Sequence, residues 1–296
     1  MKHEMKQNVV MKNYKPVCIY FPAALIFSFC ISCKSQIKYP TPDGYDLNNP
    51  VKIQLESQLN EISGIVYYPK DTGIFAESDA TGSLYKIFPD KNAMVQKWKF
   101  GTNHDYEDLQ LVDSTFYILS SSGDIVSVKF STTDSMQVSN FEFPEKHKHE
   151  FEALYYDSAI NKLVLICKDC KDDKKNTAGT WAFDLAAQTF SEGPFVIDAK
   201  KIESYLKEGE KSKFKPSAAA INPLTHELYI VASVNKLLAI ADKNGVLKTV
   251  YPLNPSIYKQ PEGIAFTNKG DLLISNESGN EGAANILVIK YKKKAQ

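Results

Sequence analysis

Residues 260–277, with the sequence QPEGIAFTNKGDLLISNE, contain two short apolar runs separated by a polar segment with one glycine. Short apolar runs bounded by Asn, Gly and Asp predict two β-strands joined by a tight turn. The same arrangement occurs four more times upstream. Its opening quartets there are Ile62-Ser63-Gly64-Ile65, Tyr106-Glu107-Asp108-Leu109, Phe151-Glu152-Ala153-Leu154 and Pro216-Ser217-Ala218-Ala219. A unit that occurs five times in one chain predicts a repeat architecture.

The second residue of each opening quartet marks the repeat length. These five anchor residues are Ser63, Glu107, Glu152, Ser217 and Glu262, at intervals of 44, 45, 65 and 45 residues. A period of about 45 residues that is built from strands indicates an all-β propeller of four-stranded blades. The long interval contains an insertion at about 191–215, in which residues 197–206 favour a short helix. The insertion is too short for four more strands, so we predict five blades, with six as the alternative.

The last copy has three predicted strands, not four. The chain ends soon after residues 286–289, which would leave an unpaired strand edge in the last blade. Residues 51–55 alternate between polar and apolar side chains and form a spare strand at the other end of the domain. We therefore predict that this N-terminal strand completes the last blade and closes the ring.

Composition limits the possible functions. The chain has 296 residues, of which 43% are hydrophobic and 24% charged, enough for one large domain with a substantial core. Its 35 basic residues are all lysine and are balanced by 35 acidic residues. Nucleic-acid readers usually show a basic excess and use arginine for paired contacts with bases and phosphates. The sequence therefore predicts no nucleic-acid partner.

The N-terminus has the features of an export signal. Lysines precede an apolar run over residues 17–31, which is shorter than the ~20 residues that a spanning helix needs. The run ends in Cys30-Ile31-Ser32-Cys33, which resembles a bacterial lipoprotein box with Cys33 as the lipidated residue. Cys30 departs from the leucine usual at its position, and an ordinary cleaved signal or an uncleaved anchor stays open. Either Met1 or Met11 can be the start.

These features divide the chain into three parts. We predict a signal peptide with its lipoprotein box over 1–33, a tether rich in proline over 34–50 and a β-propeller over 51–292. The predicted location is the cell envelope, with the protein exported and held at a membrane by its lipid. The sequence does not distinguish the inner from the outer membrane.

The strand openings with Ser-Gly or Glu-Gly, in blades of this period behind an export signal, resemble the SdiA-regulated family of bacterial proteins. The similarity covers about residues 60–291. It implies a β-propeller in the envelope, and it implies no enzyme activity, since none is established for the family. More distantly the repeats resemble the NHL and gluconolactonase-type propellers.

The anchors are expected to lie at one end of the central channel, because the first strand of each blade lines it. Glu107, Glu152 and Glu262 would then hold three carboxylates at a narrow mouth, where repulsion raises their pKa values or a cation neutralises them. Oxygen ligands from separate strands suit Ca²⁺, and the resemblance to gluconolactonase-type propellers implies a divalent cation there. The alternative is structural: each carboxylate bonds backbone N–H groups of the next blade.

Other polar residues are expected at the same rim. The loops that follow the second strands contribute Asp79, Asp169 and Glu277, and a link between blades contributes His104. His147 and His149 lie in a charged segment, which predicts solvated side chains. None of these positions matches a nucleophile elbow, a phosphate-binding loop or a zinc-protease motif.

Cys167-Lys168-Asp169-Cys170 follows a predicted second strand. Outside the cytosol such a pair forms a disulfide, and inert thiols are the main alternative. A zinc site would need two more ligands, for which His147 and His149 are the candidates. A thioredoxin-like role would need a helix to activate the thiolate, and a polar loop follows instead.

The sequence favours a monomeric, membrane-anchored binding or scaffolding module, with a small molecule or an envelope protein as its partner. The rival is a divalent-cation-dependent, lactonase-like hydrolase that uses Glu107, Glu152 and Glu262. A purely structural envelope protein is the third class.

Overall fold

The computed structural model describes residues 37–78, 81–90, 93–132, 135–145, 149–171, 173, 177–205, 214–279 and 282–293. The signal segment with Cys33, as well as Asp79 and His147, lies outside these residues. Among them no helix combines the length and the apolar composition that crossing a membrane requires.

The fold consists of short antiparallel strands. In chain order they are β1 (Val51–Gln54), β2 (Ile62–Tyr68), β3 (Gly73–Ser78), β4 (Ser83–Phe88), β5 (Met94–Lys99), β6 (Tyr106–Val112), β7 (Thr115–Ser120), β8 (Ile125–Thr132), β9 (Ser135–Phe141), β10 (Phe151–Asp157), β11 (Lys162–Cys167), β12 (Thr177–Ala178), β13 (Thr180–Asp184), β14 (Thr189–Glu192), β15 (Ile197–Asp198), β16 (Ala218–Ile221), β17 (Leu228–Ala232), β18 (Leu237–Ala241), β19 (Leu247–Pro252), β20 (Pro261–Phe266), β21 (Leu272–Asn276) and β22 (Asn285–Ile289).

Five four-stranded sheets form five propeller blades, as the repeat predicts. Blade 1 contains β2–β5, blade 2 contains β6–β9 and blade 4 contains β16–β19. Blade 3 contains β10, β11, β13 and β14. The first strands of the blades pack against one another in a closed ring, β2 on β6, β6 on β10, β10 on β16, β16 on β20 and β20 on β2.

The fifth blade combines the two ends of the domain. Its order is β1, β22, β21, β20, and β1 pairs with β22 from Val51 opposite Val288 to Gln54 opposite Asn285. The prediction that an N-terminal strand completes this blade is therefore confirmed. The pairing occupies one edge of β22 with backbone hydrogen bonds and joins the first and last strands of the propeller.

The segment before β1 is packed onto the propeller, so the tether predicted over 34–50 is wrong for its described part. Tyr45 and Leu47 are buried. The Tyr45 hydroxyl donates to the Gly270 carbonyl oxygen at 2.7 Å, and the Tyr258 hydroxyl donates to the Leu47 carbonyl oxygen at 2.9 Å. An aromatic side chain in a proline-rich segment gains free energy by burial, and the prediction missed that gain.

The insertion after blade 3 forms no further blade in its described part. Ile197–Asp198 forms the short strand β15, which pairs with β12, and a 3₁₀ helix follows over Ala199–Tyr205. The helix predicted from residue 197 thus begins two residues later and is of the tighter type. Ile202 and Phe214 are buried with side chains of blades 3 and 4, so the insertion covers the contact between these blades.

Candidate functional site

β-Bulges at the strand openings set the position of the three glutamates. In blades 2, 3 and 5 the pairing of the first two strands skips one residue, and the skipped residues are Glu107, Glu152 and Glu262. A bulge leaves its extra residue out of the ladder and redirects its side chain. The three glutamates are therefore structurally equivalent. We call these three residues, with the anchors Ser63 and Ser217, the acidic mouth.

The residue after each anchor lies where the first strands come closest. A Cβ atom on Gly64 would lie 2.6 Å from the Asp108 Cα, and one on Gly263 would lie 2.4 Å from the Ser63 carbonyl oxygen. Such contacts are far inside van der Waals distance. The glycine of each Ser-Gly or Glu-Gly pair thus allows neighbouring strands to pack closely. The anchor residue before the glycine is not needed for this packing and is available for a functional site.

Lys168 provides a positive charge at the acidic mouth. Its ammonium group contacts the Glu152 carboxylate directly and lies 3.1 Å from an oxygen of Glu150. Its backbone N–H also donates to the Glu150 carbonyl oxygen at 2.8 Å, which fixes the loop after β11 beside β10. Glu152 is buried, so this pair is held away from water. Lys168 was not among the predicted site residues, although it lies between the two cysteines of the motif.

Glu107 is protonated at neutral pH. Burial of the carboxyl group raises its pKa from 4.5 to about 9, and the charges of Asp105 and Glu77 act in the same direction. Lys168 opposes the shift, and Glu262 adds to it. The acidic mouth therefore holds a protonated Glu107 together with Glu152, which contacts the ammonium group of Lys168.

Glu262 is stabilised by hydroxyl groups. Ser217 and Ser233 both donate hydrogen bonds to its carboxylate, and Lys168 and Lys236 supply positive charge. Burial still outweighs these effects and raises its pKa above the usual range. The anchor Ser217 is thus a direct partner of Glu262.

Asp108 binds backbone N–H groups of neighbouring blades. This structural role was the alternative predicted for the glutamates from the sequence. Asp108 is fully buried, and its carboxylate accepts hydrogen bonds from the N–H of Leu109 at 2.8 Å and of Leu154 at 2.7 Å. The Ala219 N–H is a third donor, and burial raises the pKa well above its usual range despite these bonds. One side chain thus connects blades 2, 3 and 4. The sequence contained a signal for this role: the position after the anchor is Asp in the second repeat and Gly or Ala in the other four.

The predicted rim residues divide into two groups. Asp169 lies two residues after the end of β11, and Glu277 lies one residue after the end of β21. Both strands pair with strand openings, so these residues lie at the predicted end of the disc. The Glu277 carboxylate accepts a hydrogen bond from Gln260 at 2.9 Å. His104 is exposed, and its ring packs edge-on against Tyr106 at 5.6 Å, which keeps it at the outer surface.

A cavity at the opposite end of the ring has an uncharged lining. This cavity of about 190 Å³ is lined by the later residues of the first strands, among them Ile65, Gln110, Tyr156 and Ile264. Gln110 donates from its amide to the Leu154 carbonyl oxygen at 3.0 Å. Along β6, Asp108 lies between Glu107 at the acidic mouth and Gln110 at this cavity. The lining of this cavity therefore differs in charge from the acidic mouth.

Cys167 and Cys170 form a disulfide with their Cα atoms 5.7 Å apart. His149 lies beside it, with a side chain only 3% exposed, and its ring stacks on Phe151 and meets Phe143 edge-on. The predicted solvation of His149 is therefore wrong. The charged residues around it in sequence hid its burial under aromatic rings.

Among the described residues, one group of three His, Cys, Asp or Glu side chains has ligand atoms mutually within 4.8 Å, and it is His149, Cys167 and Cys170. The three glutamates of the acidic mouth do not form so tight a set. In the described arrangement, the nearest positive charge to Glu152 is the ammonium of Lys168. A metal ion there would therefore have to displace Lys168.

Comparison with known proteins supports the fold. A glutaminyl cyclase from Myxococcus xanthus matches with a TM-score of 0.55 and 12% identity, over 83% of this chain and 97% of that one. A luciferin-regenerating enzyme matches with a TM-score of 0.52 and 9% identity, over 82% and 98%. A Bacteroides thetaiotaomicron protein of unknown function matches with 0.50 and 9%, over 86% and 73%. At these identities the likeness shows a shared propeller architecture.

No protein-family model matches the chain, and no curated protein matches its sequence. The resemblance to the SdiA-regulated family therefore stays a prediction.

Proposed function

We propose that this protein is a binding module of the cell envelope whose ligand site is the acidic mouth. The ligand we propose is a cation, with Ca²⁺ as the candidate. One observation carries the proposal: bulges place three equivalent glutamates at one end of the ring, where burial and the charges of neighbouring carboxylates raise the pKa of Glu107 to about 9. A site that holds a proton for this reason also favours a bound cation, which removes the same repulsion.

The surrounding residues support an oxygen-ligated ion. The acidic mouth offers carboxylates from three separate strands and hydroxyl groups from Ser63 and Ser217, and all of these are hard ligands of the kind that Ca²⁺ takes. We infer that Ca²⁺ would release the Glu107 proton and expel the Lys168 ammonium from Glu152. Lys168 is thus the built-in competitor of the ligand.

A second candidate is the lactonase-like hydrolase that depends on a divalent cation. The observation in its favour is a pair of equivalent glutamates in different surroundings: burial raises the pKa of Glu107 to about 9, and Glu152 is ion-paired with Lys168. Two carboxyl groups in different surroundings are a common arrangement for general acid and base. We rank the hydrolase second. Both functions would use the acidic mouth, but cation binding requires only the carboxylates described above, whereas hydrolysis also requires groups that recognise a substrate.

Calorimetric titration of the full chain with Ca²⁺, with Mg²⁺ as the comparison ion, tests the proposal. We expect Ca²⁺ to bind, and the triple variant Glu107→Gln, Glu152→Gln, Glu262→Gln to lose this binding. Glu227→Gln, which breaks an exposed ion pair with Lys248 at 2.7 Å, is the control and should bind Ca²⁺ like the wild type. Equal binding by wild type and triple variant would refute the site.

The pH dependence gives an independent check. A metal needs its carboxylates deprotonated, so Ca²⁺ affinity should rise by up to about tenfold per pH unit between pH 7 and the Glu107 pKa of about 9. If the Ca²⁺ affinity does not change over this pH range, the ion does not displace a proton from Glu107.

The envelope location is part of the proposal and rests on the segment around Cys33. Two lipid chains and an acyl group on this residue would hold the protein at a membrane. Cys33→Ser should release the protein from the membrane fraction, with Cys18→Ser, outside the lipoprotein box, as the control that stays bound. Retention of Cys33→Ser after a carbonate wash would favour an uncleaved anchor instead.

A further inference from the structure

The second cluster of chemically active side chains lies at blade 3, and its two cysteines flank Lys168, which contacts Glu152 of the acidic mouth. His149, Cys167 and Cys170 place one imidazole nitrogen and two sulfur atoms mutually within 4.8 Å. In the described structure the sulfurs form a disulfide. We propose that reduction of this disulfide creates a zinc site with these three ligands.

The state of the His149 ring supports this assignment. Its Nε2 lies 3.0 Å from the Glu145 carboxylate, while its Nδ1 is buried and has no hydrogen-bond partner within the described part of the chain. A hydrogen donated from Nε2 to Glu145 leaves the lone pair on Nδ1. Carboxylate-bound histidines of this kind are typical of metal ligands, because the carboxylate fixes the tautomer and strengthens the donor nitrogen.

The positions of both cysteines are fixed by the backbone. Cys167 ends β11, and its N–H donates to the Gly179 carbonyl oxygen at 2.9 Å, while the Cys170 carbonyl oxygen accepts from the Asp173 N–H at 3.2 Å. Reduction therefore need not disperse them. Zn–S bonds of about 2.3 Å require the two sulfurs to separate to about 3.8 Å in a tetrahedral site, which side-chain rotation provides.

The charge of the site selects the ion. Cys167 and Cys170 are 2% and 6% exposed, and His149 lies among Phe143, Phe151 and Trp181. Two thiolates, one neutral imidazole and Zn²⁺ sum to zero charge, which suits an apolar shell. Sulfur and nitrogen ligands favour Zn²⁺ over the Ca²⁺ that carboxylates take. Three protein ligands leave one coordination position for water.

The redox step is balanced by a dithiol reductant. The dithiol gives two electrons and two protons, the bond between the sulfurs breaks, two thiols form, and the reductant closes its own disulfide. Zn²⁺ then displaces both thiol protons into solvent. In the oxidised chain the two sulfur atoms are bonded to each other and cannot act as thiolate ligands, so the zinc site forms only in the reduced state.

The test compares oxidised and reduced full-length protein. The chain is reduced with dithiothreitol, desalted anaerobically, loaded with Zn²⁺ and analysed for bound metal. The double variant Cys167→Ser, Cys170→Ser gives the background from Cys18, Cys30 and Cys33. We expect one Zn²⁺ per chain above this background in the reduced wild type and none in the oxidised one. No excess over the double variant overturns the proposal.

The ligands are then tested singly, with folding checked in each variant by circular dichroism. His149→Gln should weaken Zn²⁺ binding at least tenfold. Glu145→Gln should weaken it about tenfold, because Nε2 of His149 loses its hydrogen-bond acceptor. His104→Gln, the exposed control, should leave Zn²⁺ binding unchanged. Co²⁺ in place of Zn²⁺ should give the visible absorption of a tetrahedral thiolate complex in the wild type and lose it in His149→Gln. An unchanged Co²⁺ spectrum in His149→Gln would remove the histidine from the site.

Discussion

The acidic mouth and the cavity at the other end of the central ring are built from the same five strands, and their linings differ in charge. The acidic mouth, at the strand openings, holds Glu107, Glu152 and Glu262 with Lys168. Two or three residues further along, the strands line a cavity with uncharged side chains such as Gln110 and Ile264. A repeat can thus keep one backbone geometry while its two ends serve different chemistry.

Asp108 separates these ends. It lies one residue after Glu107, yet its carboxylate points to backbone donors of blades 3 and 4, whereas Glu107 is placed by its bulge at the acidic mouth. Neighbouring carboxyl groups on one strand therefore have different roles: one holds the ring together and the other is available to a ligand.

The largest expected effect belongs to Asp108→Ala. The buried N–H groups of Leu154 and Ala219 would lose their acceptor, at a cost of about 1–3 kcal/mol each, so the free energy of unfolding should fall by about 3 kcal/mol. Chemical denaturation measures this value. Glu107→Ala is the matched neighbour and should cost less than about 1 kcal/mol. Equal losses would contradict the division of roles.

Lys168→Met is expected to lower the free energy of unfolding somewhat less than Asp108→Ala does, and to raise the affinity for Ca²⁺. Stability at neutral pH should fall by about 2 kcal/mol, because the buried Glu152 carboxylate loses its partner. Affinity for Ca²⁺ should rise, because the competing ammonium is gone. Lys248→Met, whose partner Glu227 is on the outer surface, should change stability by less than about 1 kcal/mol. Weaker Ca²⁺ binding by Lys168→Met would show that the lysine is not a competitor.

The pH dependence of stability tests the protonated state of Glu107. Its folded pKa of about 9 exceeds 4.5, so the folded protein binds more protons than the unfolded one between these values, and stability falls as pH rises through this window. Glu107→Gln should remove up to about 1.4 kcal/mol per pH unit of this slope. Glu227→Gln should keep the slope, and a Glu107→Gln slope equal to the wild-type slope would place the proton elsewhere.

The smallest effect is expected at the cavity with the uncharged lining. Gln110→Leu removes one hydrogen bond to the Leu154 carbonyl oxygen and should lower the free energy of unfolding by about 1 kcal/mol. Neither the pH slope nor Ca²⁺ binding should change. A change in either would mean that the two ends are coupled across Asp108.

The sequence by itself predicted the propeller, the five blades, the closing strand and the equivalence of Glu107, Glu152 and Glu262. These features follow from a period of about 45 residues and from local turn chemistry, which are properties of neighbouring residues in the chain. The pairing of Cys167 with Cys170 was also predicted, since only two residues lie between them.

Tertiary structure decided what surrounds those residues. Lys168 meets Glu152 because a loop of blade 3 folds back beside its own first strand, and Ser217 meets Glu262 because blades 4 and 5 adjoin. Tyr45 finds its pocket on blades 4 and 5, more than 170 residues away along the chain. Such contacts depend on how distant segments approach one another, and periodicity carries no information about them. The pairing of Glu152 with Lys168 and the raised pKa of Glu107 were therefore set by packing.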